Sequence, residues 1–213
     1  MNRRDFLKGA GAAIVPAAIP GAIWASAPLS AASERALESS PEASPTIGPI
    51  TAVVFDNRYA DCQAFADALA RRGARAFATN ADAAQLWYGP LRAHVAQHPG
   101  RVAGLTTYAD FSVSQACGRE LGFAQLYEGE HDGRRSRAHL AHRLRTAADD
   151  REIVAAFAGA SWAAQLADAL SRLSAPDSTD AAIEAPRLAI VTTPRSMGHP
   201  GYLNSWLLGV VGA

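Results

Sequence analysis

Polar side chains with the means to do chemistry stand at the ends of several short apolar runs in this 213-residue chain. Asp56, Asn57 and Arg58 follow ITAVVF. RVAGLTT closes on Thr106 and Thr107, with Asp110 three residues on. Glu128 sits in FAQLYEG with Glu130 and His131 just beyond, and Arg195 follows RLAIVTT near Ser196 and His199. Carboxylates and imidazoles are the groups that move protons. Arginines beside hydroxyls and amides suit a carboxylate or phosphate. Each residue also has a plainer role: Asp56 can cap a helix, and Thr106 and Thr107 can close a turn. What would unite them is a common rim, because open parallel sheets bind ligands at the carboxyl ends of their strands.

Some chemistries are absent from the sequence. The turn after the first apolar run, FDNRYADC, holds neither G-x-G-x-x-G nor G-K-[ST], so a standard dinucleotide or nucleoside-triphosphate site is not expected. No G-x-S-x-G elbow occurs, which argues against an ordinary α/β-hydrolase. Glu128, Glu130, His131, Asp132, His139 and His142 form a local inventory of metal donors. Their spacing fits no metal motif, and no metal is assigned. Five arginines between 134 and 145 are expected on the outer side of an amphipathic helix.

The elements that must position these residues follow from periodicity. Five short apolar runs read as strands: Ile50–Phe55, Arg75–Thr79, Arg101–Thr107, Phe123–Gly129 and Arg187–Thr193. Between them lie amphipathic helices. One spans Asp61–Arg72 and stops at Gly73. A second stretch is capped by Asn80 or Asp82, with Pro90 opening a further turn. Another runs from Phe111 to Glu120. Residues 133–148 are expected to form a helix with Leu140, Ala141 and Leu144 inward. Asp149 and Glu152 resemble a capping box, Gly159-Ala160-Ser161 offers a break, and Leu166, Leu170 and Leu173 share one face of a last helix before a polar loop at 174–185. Tyr202–Val211 fits a short apolar helix or an edge strand. Alternating strands and helices predict an α/β fold: a three-layer Rossmann-like or flavodoxin-like sandwich with a mostly parallel sheet of about five strands.

The first residues carry a different message. Arg3-Arg4-Asp5-Phe6-Leu7-Lys8 precedes an uncharged stretch from Gly9 to Ile23, and Ala25-Ser26-Ala27 and Ser30-Ala31-Ala32 offer small-residue cleavage sites. Arg3, Arg4, Phe6, Leu7 and Lys8 resemble the twin-arginine (Tat) signal pattern R-R-x-F-L-K, with Asn2 where Ser or Thr is usual. The resemblance implies export to the periplasm in a folded state by the Tat translocase, often with a cofactor or a piggybacking partner. The apolar stretch is short for a membrane span. Residues 1–27 are therefore read as the signal, 28–49 as a Ser/Pro/Ala-rich linker, and 50–213 as one α/β domain. Membrane anchoring follows only if the signal is retained.

Without residues 1–27, 17 arginines face 19 acids, and this near balance argues against nucleic acid as a partner. Cys62 and Cys117 each fall on the apolar face of a helix and are expected as buried thiols. The expectation is an exported protein that holds a small anionic or polar ligand, or assists an exported redox enzyme. One alternative is a small periplasmic enzyme with Asp56, Asp110 or His131 as acid–base groups. Another is a membrane-tethered structural subunit. No cofactor is named by the sequence.

Overall fold

A computed structural model describes residues 48–80, 82–146, 151–158, 161–173, 187–195 and 198–210. The signal, nearly all of the linker, Asp149, Gly159-Ala160, the loop at 174–185 and Ser196 lie outside the described residues.

The elements run β1 (Ile50–Phe55), α1 (Ala60–Ala70), β2 (Arg75–Ala78), α2 (Ala83–Tyr88), α3 (Pro90–Gln97), β3 (Arg101–Thr106), α4 (Tyr108–Glu120), β4 (Phe123–Asp132), β5 (His139–Thr146), α5 (Arg151–Ala155), α6 (Trp162–Arg172), β6 (Arg187–Pro194) and β7 (Tyr202–Val210). Local signals account for several ends. The Asp82 side chain accepts from the Gln85 N–H to open α2, and Pro90 occupies the first turn of α3.

The seven strands form one sheet in the order β2-β1-β3-β7-β4-β5-β6. Only β1/β2 and β1/β3 pair in parallel; β3/β7, β4/β7, β4/β5 and β5/β6 are antiparallel. The expectation of a mostly parallel, five-stranded sheet is thus corrected to a mixed, mainly antiparallel sheet of seven. Two segments make the difference. Residues 139–146 are strand β5, not helix. Leu140 and Leu144 are four apart, a spacing that suits one face of either element. His142, buried between them, reveals the strand's period of two, with Arg143 and Arg145 on the other side. Residues 202–210 are neither helix nor edge: β7 lies at the centre, between β3 and β4. Both of its faces are covered, so every residue from Leu203 to Gly209 is buried and no alternation shows.

Two apolar clusters hold the layers together. On one face Val53, Leu105, Tyr127, Leu140, Leu144 and Leu207 pack against α1, α5 and α6 through Phe65, Leu69, Ile153, Phe157, Trp162 and Leu166. On the other, Val54, Phe77, Val102, Trp206 and Leu208 pack against α2, α3 and α4 through Leu86, Trp87, Leu91, Phe111 and Cys117. Burial of this kind contributes about 25 cal/mol per Å² of apolar surface removed from water. On the second face Glu128, Glu130, Arg143, Arg145 and Ile190 line a shallow depression of about 180 Å³. Cys62 belongs to the first cluster and Cys117 to the second, both as free thiols.

Candidate functional site

The parallel wing brings two strand ends together. β1 and β3 are adjacent and point the same way. After β1 the chain turns into α1, which packs on one face; after β3 it turns into α4, which packs on the other. The two loops therefore part company at the carboxyl ends of the strands, the geometry of a topological switch point. Asp56 ends β1 and is fully buried, with its N–H donating to the Leu105 carbonyl oxygen of β3 at 3.3 Å. Its carboxylate accepts from Arg58 three times: the backbone N–H at 3.1 Å, Nε at 2.9 Å and Nη2 at 2.6 Å. This fork pushes the Arg58 guanidinium still further up, first through the hydrogen bonds and then through the charge of Asp56. About half of the Arg58 side chain remains exposed beside these strand ends.

On the β3 side, Asp110 lies in the first turn of α4 and is buried. Its Oδ2 accepts from the Thr79 hydroxyl at the end of β2 (3.1 Å) and from the Thr107 hydroxyl (3.3 Å). Thr106 Oγ1 accepts from the indole N–H of Trp206 at 3.2 Å. Asn57 Nδ2 donates to Asn80 Oδ1 at 3.0 Å, linking the loops after β1 and β2; Asn80 is held in the left-handed region at φ 46°. Asp56, Asn57, Arg58, Thr106, Thr107 and Asp110 are thus gathered at one end of β1 and β3. Thr79 and Asn80 join them, placed there because β2 runs parallel to β1.

The remaining sequence candidates lie elsewhere. Glu128 points to the second face at β4, where its Oε2 accepts from Gln125 Nε2. Arg195 clamps backbone: it donates to the carbonyl oxygens of Gly133 (3.0 Å), Ser136 (3.4 Å) and His199 (2.8 Å). With four strand steps between β3 and β6, Arg195 is about 19 Å along the sheet from Thr106. Trp87 is a core residue, buried edge-on against Phe123. Among the described residues no three His, Cys, Asp or Glu side chains are gathered to hold a metal ion.

His131 belongs to a buried polar chain that sequence spacing did not indicate. Tyr127 Oη lies 3.1 Å from Ser205 Oγ, which lies 2.8 Å from His131 Nε2. His131 Nδ1 is 2.7 Å from His142 Nδ1, and His142 Nε2 is 2.7 Å from Thr193 Oγ1. With each imidazole donating from one nitrogen and accepting at the other, the chain of hydrogen bonds closes with both rings neutral. Phe157 and Trp162 close over the pair, with ring centroids 4.3 Å from His142 and 4.5 Å from His131 respectively. Gly129 leaves room for the Tyr127–Ser205 bond, since a Cβ there would meet both hydroxyl oxygens. Burial holds His131 well below its ordinary value and His142 at about 3. His199, also buried, is held at about 4, mainly by desolvation and then by the Arg195 charge. Its Nδ1 accepts the Gly201 N–H, and its Nε2 has no partner among the described residues.

Residues 1–20 match the family model of the TAT (twin-arginine translocation) pathway signal sequence. The chain carries a Tat export signal. That signal engages the Tat translocase and directs export across the membrane. No curated protein and no solved structure matches the chain. Among the described residues no helix is long and apolar enough to cross a membrane.

Proposed function

We propose that this Tat-exported protein works in the periplasm as a binder of a small polar ligand, held where β1 and β3 end. The observation that carries this is the divergence of the loops after two adjacent parallel strands, with Arg58 tethered by Asp56 at the opening. A guanidinium held along one edge keeps its other edge for a ligand acceptor, at little further entropy cost. Asn57, Asn80 and Thr107 add donors and acceptors around it. The arrangement favours binding over acid–base catalysis: the Asp56 carboxylate is occupied by Arg58, and His131 is closed off from solvent. Service to an exported redox enzyme is compatible with such a binder.

The test is a thermal-shift and calorimetric screen of the purified protein against defined small solutes: mono- and dicarboxylates, inorganic phosphate and free amino acids. At least one is expected to raise the melting temperature, and Arg58→Ala is expected to remove the shift while the protein still folds. No stabilisation by any of these classes, or full retention of binding in Arg58→Ala, would refute the reading.

A further inference from the structure

The proposed ligand site leaves the histidine chain of the antiparallel wing without a role. We propose that the His131–His142 pair is an acid-operated latch holding the β4–β5–β6 wing closed. The pair ties β4 to β5 directly. Its ends reach Thr193 on β6 and Ser205 on β7, so four strands are joined through one file of hydrogen bonds.

The file closes with both rings neutral and cannot hold two charged ones. With a single proton between the two Nδ1 atoms, the 2.7 Å contact is a good hydrogen bond. A first added proton sits on an imidazole Nε2 and places a cation in a box of Phe157 and Trp162. A second puts an N–H on both Nδ1 atoms, which then face each other as donors and must separate. Over the two steps one N–H bond forms on each ring, both protons come from solvent, and the Nδ1···Nδ1 hydrogen bond breaks at the second.

The surroundings offer little relief. β4 contributes Tyr127, β5 contributes His142 alone, β6 contributes Thr193 and β7 contributes Ser205. The covering helices contribute the aromatic rings of Phe157 and Trp162. The loop before β7 adds His199, which repels a charged His131 or His142, and Arg195 adds positive charge beside His199. The charge of Asp132 reaches His199 from β4, but its carboxylate is taken up by Arg134 Nε at 2.9 Å and Nη2 at 3.0 Å. Glu130 and Arg143 lie on the opposite face of the sheet.

The direction follows from proton linkage. The opened wing binds protons below the ordinary histidine value of 6.5, whereas the closed wing resists them until about 4 at His199 and about 3 at His142. Closure is therefore complete above about pH 6.5 and weakens as pH falls through that window. Each histidine shifts the open-to-closed ratio about tenfold per pH unit, so three together approach about a thousandfold.

Hydrogen exchange between pH 7 and 4.5, corrected for intrinsic rates and read with tryptophan fluorescence, tests the proposal on the whole protein. Amides of 139–146 and 187–194 are expected to lose protection by about a hundredfold or more per pH unit, reversibly, while those of 50–55 and 101–106 change less than about tenfold. His142→Gln and the loop variant His199→Gln should each lower the wing's slope by about one power of ten. If His142→Gln does not fold, the difference in slope between the two wings of the unaltered protein decides. Loss of protection in both wings together, or slopes unchanged in the variants that fold, would overturn the latch.

Discussion

Arg101, at the start of β3, donates from Nη1 to the carbonyl oxygen of Leu173, 2.7 Å away at the end of α6. The same guanidinium reaches the carbonyl oxygens of Ser171 (3.2 Å), Leu170 (3.4 Å) and Gly48 (2.8 Å), and only 4% of the residue is exposed. The last carbonyls of a helix have no partner within it and carry partial negative charge. Arg101 satisfies them from the sheet and so fastens α6 to β3. Arg101→Met is expected to cost about 3 kcal/mol, and Arg101→Lys most of that, because one ammonium does not span three carbonyls. Urea unfolding reads both; a loss below about 0.5 kcal/mol, the ordinary range for surface changes, would remove this role.

Gly104 faces Trp206 across the β3–β7 pairing, and a Cβ at position 104 would run into the indole ring. The indole is pinned there by its N–H to Thr106. Gly104→Ala is expected to destabilise by about 1–3 kcal/mol through overpacking. Its effect should be smaller in a Trp206→Phe background, since the clash is with the larger ring. Equal effects in both backgrounds would mean the strain lies elsewhere.

The Asp56–Arg58 fork has a structural role of its own. In Arg58→Ala the buried carboxylate keeps the backbone N–H of residue 58 but loses two side-chain donors. With Arg58 half exposed, a loss of stability is expected, tempered by solvent screening. Lysine cannot reproduce the fork, so Arg58→Lys should recover little stability. Denaturant midpoints of the two variants check this, and full rescue by lysine would contradict it.

Cys62 and Cys117 stand on opposite sides of the sheet. No bridge between them is compatible with the fold, because their backbones are a sheet's thickness and more apart. Burial also pushes both thiols up, which lowers their reactivity. Reductant should leave the melting temperature unchanged, and a thiol reagent should react with Cys62 only as fast as the native protein opens. Prompt stoichiometric labelling of Cys62 in the native state would contradict the packing.

The parallel wing was legible because each of its pieces has a distinctive local pattern. ITAVVF is a short run rich in β-branched residues, and Cys62, Phe65, Ala66 and Leu69 mark one face of α1. The rule for strand ends then assembled Asp56, Arg58, Thr106 and Asp110 without a motif. The antiparallel wing was not legible, since Leu140 and Leu144 satisfy two periods at once and β7 has no exposed side to alternate with. Nor was the histidine chain. Tyr127 and His131 meet Ser205 from 78 and 74 residues away, a separation that leaves no local trace.

The place of β7 sets an order of events. β3 and β4 follow each other along the chain yet never touch as strands; residues 202–210 lie between them. A ribosome that has produced everything up to β6 has therefore made two half-sheets with raw edges that no strand yet joins. Maturation must wait until translation has passed residue 210, a schedule that suits a cargo shipped only after it is finished.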